Sequence, residues 1–431
     1  MLTQNMLSIA TVSSSAFFLL FFIISSSISF SHVLTKETDT LKPGQLLRDW
    51  EQLVSQSKVF RLGFFNPNPD TVHLGPAGPR YLGIWFDHIP FYSVWVANRE
   101  DPIPDSSGAL SIDPNDGKLK LTHRGNQQHP VIINPSQKNT SNNDVALTLL
   151  DSGNLVVRRV NSRGIPFGSA LWQSFDYPHN MLLPGMKLGM NFRTGQTWEL
   201  TSWVSNKLPS PGAFKVCLDQ SGVDQLVVRR RGEIYWSTGV FQNGSFQNAT
   251  SLTGFTKDSG IYEFKFVRNP EERYFTYMVK DGPALSRMDL DTLGQLTLFT
   301  LDQRESISSW IFDTAGSPCP VGVGNESAGV CLAEKASACR SAKEAFVAKR
   351  GYMVNGEESF GGGGGGEVGF LQSLSDCHGE CWKDCDCIAY QAASYDETGC
   401  RLWSKGSKFV ADDFIGSEGV VDLIYLLQSL H

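Results

Sequence analysis

The sequence has no excess of basic residues, and charged residues of either sign are few. Lysine and arginine number 37 against 44 aspartate and glutamate residues, which gives a net charge of −7. Nucleic-acid binding needs a basic surface, so this balance argues against it. Charged residues make up 19% and apolar residues 41% of 431 residues. That composition excludes a largely disordered chain and supports two to four domains of roughly 100–200 residues each.

The sequence also lacks the local motifs of common enzymes. It contains no H-E-x-x-H, no G-x-S-x-G, and none of the H-R-D, D-F-G or lysine-linked Gly-rich motifs of a protein kinase. Six consecutive glycines run from Gly361 to Gly366, but no Gly-Lys-Ser/Thr follows them. We interpret them as a flexible linker and not as a phosphate-binding loop. The sequence therefore predicts no catalytic residue, no cofactor and no metal site.

Only one apolar run has the character of a targeting segment. Residues 16–24 are nine consecutive apolar residues, and a serine-rich stretch follows them. This pattern predicts a signal peptide over residues 1–31 with the mature chain starting near His32, although the preceding residues include no Lys or Arg, and an uncleaved anchor is the alternative. The C-terminal run 420–430 is too short to span a membrane and predicts a strand. We expect a secreted, extracellular protein.

Export gives the nine cysteines and the N-x-S/T triplets a specific meaning. In an oxidising compartment the cysteines are disulfide candidates. Nine is an odd number, so at least one thiol stays unpaired, and Cys217 in its apolar strand-like segment is the candidate. Four triplets predict surface N-glycosylation, at Asn139, Asn243, Asn248 and Asn325.

Short strand-like runs dominate the chain up to residue 312. With 41 glycines, 20 prolines and 27 phenylalanines, the composition fits short strands separated by many turns. Alternating runs at 262–268 and 274–279 predict a hairpin. The character then changes, because 333–350 is rich in Ala, Lys and Glu, ends at a glycine, and predicts a helix.

Three groups of local signatures follow one another along the chain. The first comprises Arg61–Phe65, Arg80–Trp85 and Val94–Arg99. The second comprises Leu150–Val157, Trp172–Pro178, Leu183–Gly189 and Leu200–Trp203. The third is a cysteine pattern that runs from Cys377 to Cys387 and adds Cys400 and Trp403. In this order they resemble the ectodomain of the plant S-domain (G-type lectin) receptor-like kinases and the S-locus glycoproteins, which include proteins for the recognition of pollen.

The resemblance implies a mainly β chain, with tandem β-prism, bulb-type lectin-like domains followed by a small disulfide-bonded α+β PAN/apple module. The implied bounds after the signal peptide are 32–160 for the bulb-type lectin domain, 161–315 for the second lectin-like or S-locus glycoprotein domain, 316–369 for a degenerate EGF-like linker with the Gly-rich loop, and 370–431 for the PAN module. The sequence departs from the family in having no membrane helix and no kinase domain.

A degenerate sugar motif overlaps the first signature of the second group. Bulb-type lectins read Q-x-D-x-N-x-V-x-Y along one strand, and alternate residues of a strand share a face. The best match keeps Asp151, Asn154 and Val156 as carbohydrate-binding candidates, with Leu149 in place of Gln and Arg158 in place of Tyr. One extra residue between the acid and the amide breaks the alternation, so a hairpin turn is the competing interpretation.

Disulfides are favoured over a metal site in the last module. Three of its cysteines recur every four residues, which places them on one face of a helix, but the spacing is not that of a structural zinc site. The resemblance to PAN modules pairs Cys377 with Cys400 and Cys381 with Cys387. It leaves Cys385 to bond with one of the three upstream cysteines, Cys319, Cys331 or Cys339.

These observations predict a secreted or cell-surface recognition glycoprotein that binds a protein, peptide or carbohydrate ligand without catalysis. The alternative is a mannose-type lectin. The expected partners are such a ligand, a second copy of the chain or a receptor kinase, and no nucleic acid. The expected location is the apoplast, with association to the plasma membrane through a partner.

Overall fold

The structure is a computed structural model in which strands predominate. It describes residues 37–68, 78–87, 89–127, 129–135, 144–248, 262–280, 285–301, 310–313, 339–341, 343–356, 358–361, 371–411 and 423–429. The predicted signal peptide lies outside these residues.

Three four-stranded antiparallel sheets form the first part of the fold, which we call the first prism. One sheet contains Leu53–Val54, Phe60–Phe65, Tyr81–Phe86 and Ile89–Val96. The next contains Leu46–Arg48, Ala109–Ile112, Leu119–Thr122 and Val131–Ile132. The last contains Thr40–Leu41, Val145–Leu149, Leu155–Val160 and Pro166–Gln173. Residues 40–54 supply the first strand of each of the three sheets. The remaining strands follow in the opposite, nested order, so the sheet that starts at Leu53 is completed first and the sheet that starts at Thr40 is completed last.

The same nesting recurs in the second prism. Its first sheet contains Leu200–Ser205, Leu208–Leu218, Leu226–Arg230 and Glu233–Ser237. The next contains Leu188–Asn191, Thr197–Trp198, Tyr262–Arg268 and Glu272–Val279. The outermost contains Met181–Leu182, Leu285–Leu290, Leu296–Leu301 and Trp310–Asp313. A short hairpin, Phe241–Gln242 with Ser245–Phe246, and a 3₁₀ turn at Ser174–Asp176 complete the described elements of the two prisms. The fold therefore contains two copies of one architecture, as predicted.

Alternating apolar residues explain the strands and the core. Leu110 lies opposite Leu121, and Ile112 lies opposite Leu119; all four side chains are buried, while the residues between them are partly exposed. A period of two therefore turns one face of this sheet inward. The inward faces of both prisms belong to one continuous core.

The PAN module is a six-stranded antiparallel sheet covered by a helix. The strands in spatial order are Glu358–Gly361, Cys400–Ser404, Cys387–Ala392, Leu423–Ser429, Glu344–Val354 and Lys408–Ala411. The helix Leu374–Lys383 starts with a capping box, in which the Ser373 hydroxyl accepts from the Asp376 N–H and the Asp376 carboxylate accepts from the Ser373 N–H. The C-terminal strand appears where the sequence predicted it.

The structure corrects the predicted helix over 333–350. The part that it describes contains the strand Glu344–Val354, whose residues 344–350 pair with Leu423–Ser429 and whose residues 351–354 pair with Lys408–Ala411. Ala345 and Phe346 are buried against the module, and this packing outweighs the helical propensity of the Ala, Lys and Glu residues. The sheet of the PAN module therefore begins well before residue 370.

The boundary predicted at residue 160 also moves. Pro166–Gln173 pairs with Leu155–Val160, so both strands of this hairpin belong to the first prism. Residues 161–165 form the loop of this hairpin. The second prism starts at Met181.

Candidate recognition site and the junction of the prisms

The Asp-Ser-Gly-Asn segment is the turn of a hairpin. It connects Val145–Leu149 with Leu155–Val160, and the Leu150 N–H donates to the Asn154 carbonyl at 2.9 Å. Gly153 occupies the left-handed region with φ of 82°, where a glycine is unstrained. These contacts favour the turn interpretation over a continuous sugar-binding strand.

The carboxylate of Asp151 is held by the first prism itself. It accepts hydrogen bonds from the Ser57 backbone N–H at 2.7 Å and from the Ser57 hydroxyl at 2.8 Å. Partial burial opposes ionisation, but these hydrogen bonds outweigh it and keep the pKa of Asp151 below its usual value. The ionised Asp151 carboxylate therefore links two sheets of the first prism through Ser57.

The other two candidates are also engaged inside the fold. The Asn154 side chain is 8% exposed; its amide donates to Gln173 Oε1 at 3.0 Å and its oxygen accepts from the Ser174 hydroxyl and the Phe175 N–H. Val156 is 1% exposed and lies opposite Gln173 in the sheet. The three candidates are neighbours in the sequence, but Asn154 and Val156 are buried and offer a ligand little free surface.

Three disulfides staple the PAN module. They join Cys377 to Cys400, Cys381 to Cys387 and Cys339 to Cys385, and the first two are the pairs that the resemblance implies. The helix ends at Lys383, where Asp384 takes an extended conformation, so Cys385 does not share the helical face as the four-residue spacing suggested. Cys319 and Cys331 lie outside the described residues.

The glycosylation candidates among the described residues are exposed, whereas the free cysteine is buried. Asn243 is exposed in the two-residue turn of the short hairpin, and Asn248 is exposed after it. Asn139 and Asn325 lie outside the described residues. Cys217 is a free, buried cysteine, and burial raises the pKa of its thiol.

The signature residues meet at the junction between the prisms. The Trp95 indole N–H donates to the Tyr177 carbonyl at 3.1 Å, and the Val96 N–H donates to His179 Nδ1 at 3.0 Å. The His179 ring also stacks on Trp95, with centroids 5.6 Å apart. Burial, helped by the charge of Arg99, holds the pKa of His179 well below its usual value, so the neutral ring can accept this bond.

Arg99 is the centre of this junction. Its Nε donates to the Pro209 carbonyl at 2.6 Å, and its Nη2 donates to the carbonyls of Ser202 and Thr201 at 2.8 and 3.2 Å. Burial lowers the pKa of Arg99 to about 10, partly offset by Glu100, so it remains a cation at neutral pH. The guanidinium is thus solvated by the backbone of the second prism in place of water.

A second set of cations fixes the PAN module to the second prism. Arg231 forms an ion pair with Asp376 in the first turn of the helix, and Arg230 donates to the Ser375 carbonyl. On the neighbouring surface, Lys207 lies 4.5 Å from the centroid of the Tyr395 ring. An ion pair, a hydrogen bond to a backbone carbonyl and a cation–π contact therefore join the module to the second prism.

Comparison with known families and proteins agrees with this architecture. Residues 93–204 match the family model of the D-mannose binding lectin, and residues 367–407 match the PAN-like domain. The G-type lectin S-receptor-like serine/threonine-protein kinase CES101 of Arabidopsis thaliana is 32% identical over 394 residues, which cover 85% of this chain and 44% of the kinase. The kinase SD1-1 of the same plant is 29% identical over 90% of this chain and 49% of its own length.

The chain is a relative of the G-type lectin S-receptor-like kinases. It spans less than half the length of the two kinases cited above. Among solved structures, a lectin from Marasmius oreades aligns with 32% of this chain and 92% of its own at 15% identity and a TM-score of 0.21. A two-domain agglutinin from Scilla campanulata aligns with 63% of this chain and 91% of its own at 12% identity and a TM-score of 0.19. These two scores are too low to carry an argument.

The lectin-family match itself runs across the junction. It starts at Ser93 in the first prism and ends at Val204 in the second, and so contains Trp95, Arg99 and His179. The sequence showed Trp95 and Arg99 within a family signature but assigned no role to Arg99, and His179 lies just outside the signature Trp172–Pro178. The clustering of the family motifs was the available signal for this junction. The role of Arg99 could be recognised only from the fold, because the acceptors of its hydrogen bonds are backbone carbonyls.

Within the described part of the chain, no group of three His, Cys, Asp or Glu side chains is placed to hold a metal ion. No helix among the same residues has the length and apolarity needed to cross a bilayer.

Proposed function

We propose that this chain is a non-catalytic, extracellular recognition protein whose lectin-like prisms present a surface to a protein or peptide ligand. The observation that carries the proposal is the internal use of the predicted sugar groups. The Asp151 carboxylate is engaged by Ser57, and the Asn154 amide by Gln173 and Ser174. A pocket for sugar hydroxyls needs such groups free, because each lost hydrogen bond costs about 1 kcal/mol of an affinity that is low at the start.

The expected partners follow from the relatives and the charge. The relatives are receptor-like kinases by name, which supports a membrane receptor or a second copy of this chain as the binding partner. The acidic composition continues to argue against nucleic acid. An apoplastic location is part of the proposal, because signal-peptide cleavage and disulfide formation belong to the secretory route.

The second candidate is a mannose-type lectin, which the D-mannose binding family match favours. A glycan array with free mannose as competitor separates the two, using the full chain made in a eukaryotic secretory host. We expect no signal that mannose competes away.

Asp151→Asn sharpens the test, with Asp116→Asn, in the turn between Ala109–Ile112 and Leu119–Thr122 of the first prism, as its matched control. We expect Asp151→Asn to reduce the free energy of unfolding by about 1 kcal/mol through the Ser57 contacts and to leave array binding unchanged. A mannose-competed signal that disappears in Asp151→Asn and persists in Asp116→Asn would establish the lectin alternative.

A further inference from the structure

The last hairpin of the first prism ends in a positively charged segment, residues 158–167, which we call the basic tip. It contains three arginines and no acid, in a chain whose net charge is −7. The ammonium group of Lys42 lies beside it, 4.0 Å from a Cβ built on Gly164. The basic tip is therefore a cationic area on an acidic protein.

The exposed cations of the basic tip are not neutralised by the fold. Among the residues that the structure describes, no hydrogen bond or ion pair engages the side chains of Lys42, Arg159 or Arg163. Asp144 meets the hairpin through its backbone carbonyl, which accepts from the Val160 N–H at 2.8 Å. The two guanidinium groups are thus available to a partner, and each can grip a carboxylate with two parallel N–H donors.

Two exposed apolar side chains accompany these charges. Ile165 is 54% exposed and Phe167 is 52% exposed. Phe167 lies opposite Arg159 across the hairpin, so the two side chains share one face of the sheet, and Ile165 precedes Phe167 by two residues. Arginine and aromatic side chains are enriched at protein interfaces, and exposed apolar groups gain most when a partner covers them.

Asn161 holds the loop of the basic tip in place. Its side-chain oxygen accepts from the N–H groups of Arg163 and Ile165, both at 3.0 Å. Its backbone N–H donates to the Ile165 carbonyl at 3.0 Å, and its carbonyl accepts from the Gly164 N–H at 2.8 Å. The loop therefore presents Arg163 and Ile165 with little of the ordering cost that a flexible segment pays on binding.

The backbone of the same hairpin disfavours the addition of a partner strand. Pro166–Gln173 is an outer strand of its sheet in the described part of the chain. Its register with the neighbouring strand shifts between Val157 and Arg159. Such an irregularity interrupts the row of N–H and C=O groups that an added strand would need. Recognition at this surface therefore depends on its side chains.

We propose that the basic tip, together with Lys42, docks an acidic and partly apolar surface of a partner protein. Arg159 and Arg163 pair with carboxylates of the partner, and Phe167 packs against its apolar side chains. The proposal rests on the recognition role proposed above and adds a place on the fold and the charge of the ligand. A lipid surface is disfavoured, because the negative surface potential of a membrane belongs to its cytoplasmic leaflet and the proposed location is extracellular.

The test uses the full chain, made in a eukaryotic secretory host, and a random peptide library displayed on phage. Peptides are selected on the wild type and counter-selected on the double variant Arg159→Gln with Arg163→Gln. We expect the surviving peptides to be enriched in Asp and Glu next to Leu or Phe. Fluorescence polarisation of one such peptide then gives its affinity, which should fall as salt is added because exposed ion pairs are screened.

A matched double variant controls for charge. Lys215→Gln with Lys265→Gln removes two cations from the second prism, where both lie in exposed ion pairs, and changes the net charge by the same amount. We expect the loss of Arg159 and Arg163 to weaken the selected peptide by about tenfold or more and the control to leave its affinity unchanged.

Phe167→Ser tests the apolar part of the surface, with Phe192→Ser as its control because that ring is 54% exposed on the second prism. We expect Phe167→Ser alone to weaken the peptide by about tenfold. Thermal melts of all four variants should coincide with the wild type, which separates lost binding from lost folding.

Four results would overturn the proposal. Selection of no peptide, or only of neutral or basic ones, would refute the acidic partner and leave the recognition role, which the glycan array tests separately, standing. Equal losses in the control variants would refute the place. Tighter binding to phosphatidylserine vesicles than to the peptide, lost in the same variants, would assign the basic tip to a membrane. Self-association in sedimentation velocity that Arg159→Gln with Arg163→Gln abolishes would assign it to a second copy of the chain.

Discussion

The Arg99 guanidinium of the first prism donates to the Pro209 carbonyl of the second at 2.6 Å, across 110 residues of sequence. The two further acceptors of this side chain are also carbonyls of the second prism. The buried Arg99 cation donates these three hydrogen bonds to the second prism, so the second prism takes the place of its solvating water. The prisms are therefore expected to unfold together.

Arg99→Met tests this coupling. The variant keeps an apolar stem but leaves three carbonyls without their donor, so we expect the free energy of unfolding to fall by about 3 kcal/mol. Urea denaturation followed by tryptophan fluorescence measures it. Arg163→Met, in the exposed loop of the Pro166–Gln173 hairpin, should change stability by less than about 0.5 kcal/mol. Equal effects of the two substitutions would show that the junction does not depend on the guanidinium.

Gly153→Ala tests the turn in which the sugar motif was predicted. A Cβ at this position would lie 2.7 Å from Leu183 Cδ1 and 2.9 Å from the Phe60 ring, in addition to the strain of a φ of 82°. Gly44 is a matched control, because its φ is 81° and no atom lies within 4 Å of its built Cβ. We expect Gly44→Ala to cost about 1 kcal/mol from backbone strain alone and Gly153→Ala to cost about 1–3 kcal/mol more. Thermal melts of the two variants should differ accordingly; coinciding melts would refute the packing argument.

Asp289 makes stability depend on pH. Burial raises its pKa to about 6, partly offset by Arg287, whose Nε lies 2.9 Å from the carboxylate. The folded pKa is above the unfolded value of about 3.9, so the folded chain holds the proton more tightly. The contribution to stability is complete below about pH 4 and is lost as the pH rises through about 6.

Asp289→Asn removes this titration. We expect the free energy of unfolding of the wild type to change by on the order of 2–3 kcal/mol more than that of the variant between pH 4 and pH 7. Denaturation midpoints at half-unit intervals measure the slope, and the exposed Asp101→Asn should keep the wild-type slope. A variant curve parallel to the wild type over this range would contradict the shifted pKa.

Arg231→Gln tests the attachment of the PAN module. The ion pair with Asp376 is partly exposed, so we expect a cost of only about 1 kcal/mol. The loss should appear as faster hydrogen exchange of the helix amides in Leu374–Lys383. Lys405→Gln, which breaks an exposed pair with Asp386 inside the module, is the control and should leave this exchange unchanged. Exchange rates that do not respond to Arg231→Gln would mean that other contacts hold the module.

The sequence was sufficient for the class of fold, which depends on local patterns and motif order, and the resemblance to PAN modules implied two disulfide pairs that the structure contains. It was misleading for Glu344–Val354, because the strand is selected by a partner at Leu423–Ser429 that lies far away in the sequence. Local propensity contains no information about that partner.

The candidate sites show the same limit. The sugar motif matched a binding strand and left a hairpin turn as the competing interpretation; in the structure Asp151 and Asn154 lie in that turn and their side chains bond within the fold. Arg99 was visible as a signature, but its acceptors are main-chain carbonyls, which any sequence supplies.

The nested order of the strands also determines when each sheet can form during synthesis on the ribosome. The sheet within residues 53–96 can close as soon as its own hairpins emerge, whereas Thr40–Leu41 must wait for Val145–Leu149 before it finds its neighbour. The second prism repeats the delay, since Met181–Leu182 waits for Leu285–Leu290. During synthesis each prism is thus expected to assemble from its innermost sheet outward, with its earliest strand left unpaired until late. That interval is when a chaperone would find an open edge to bind.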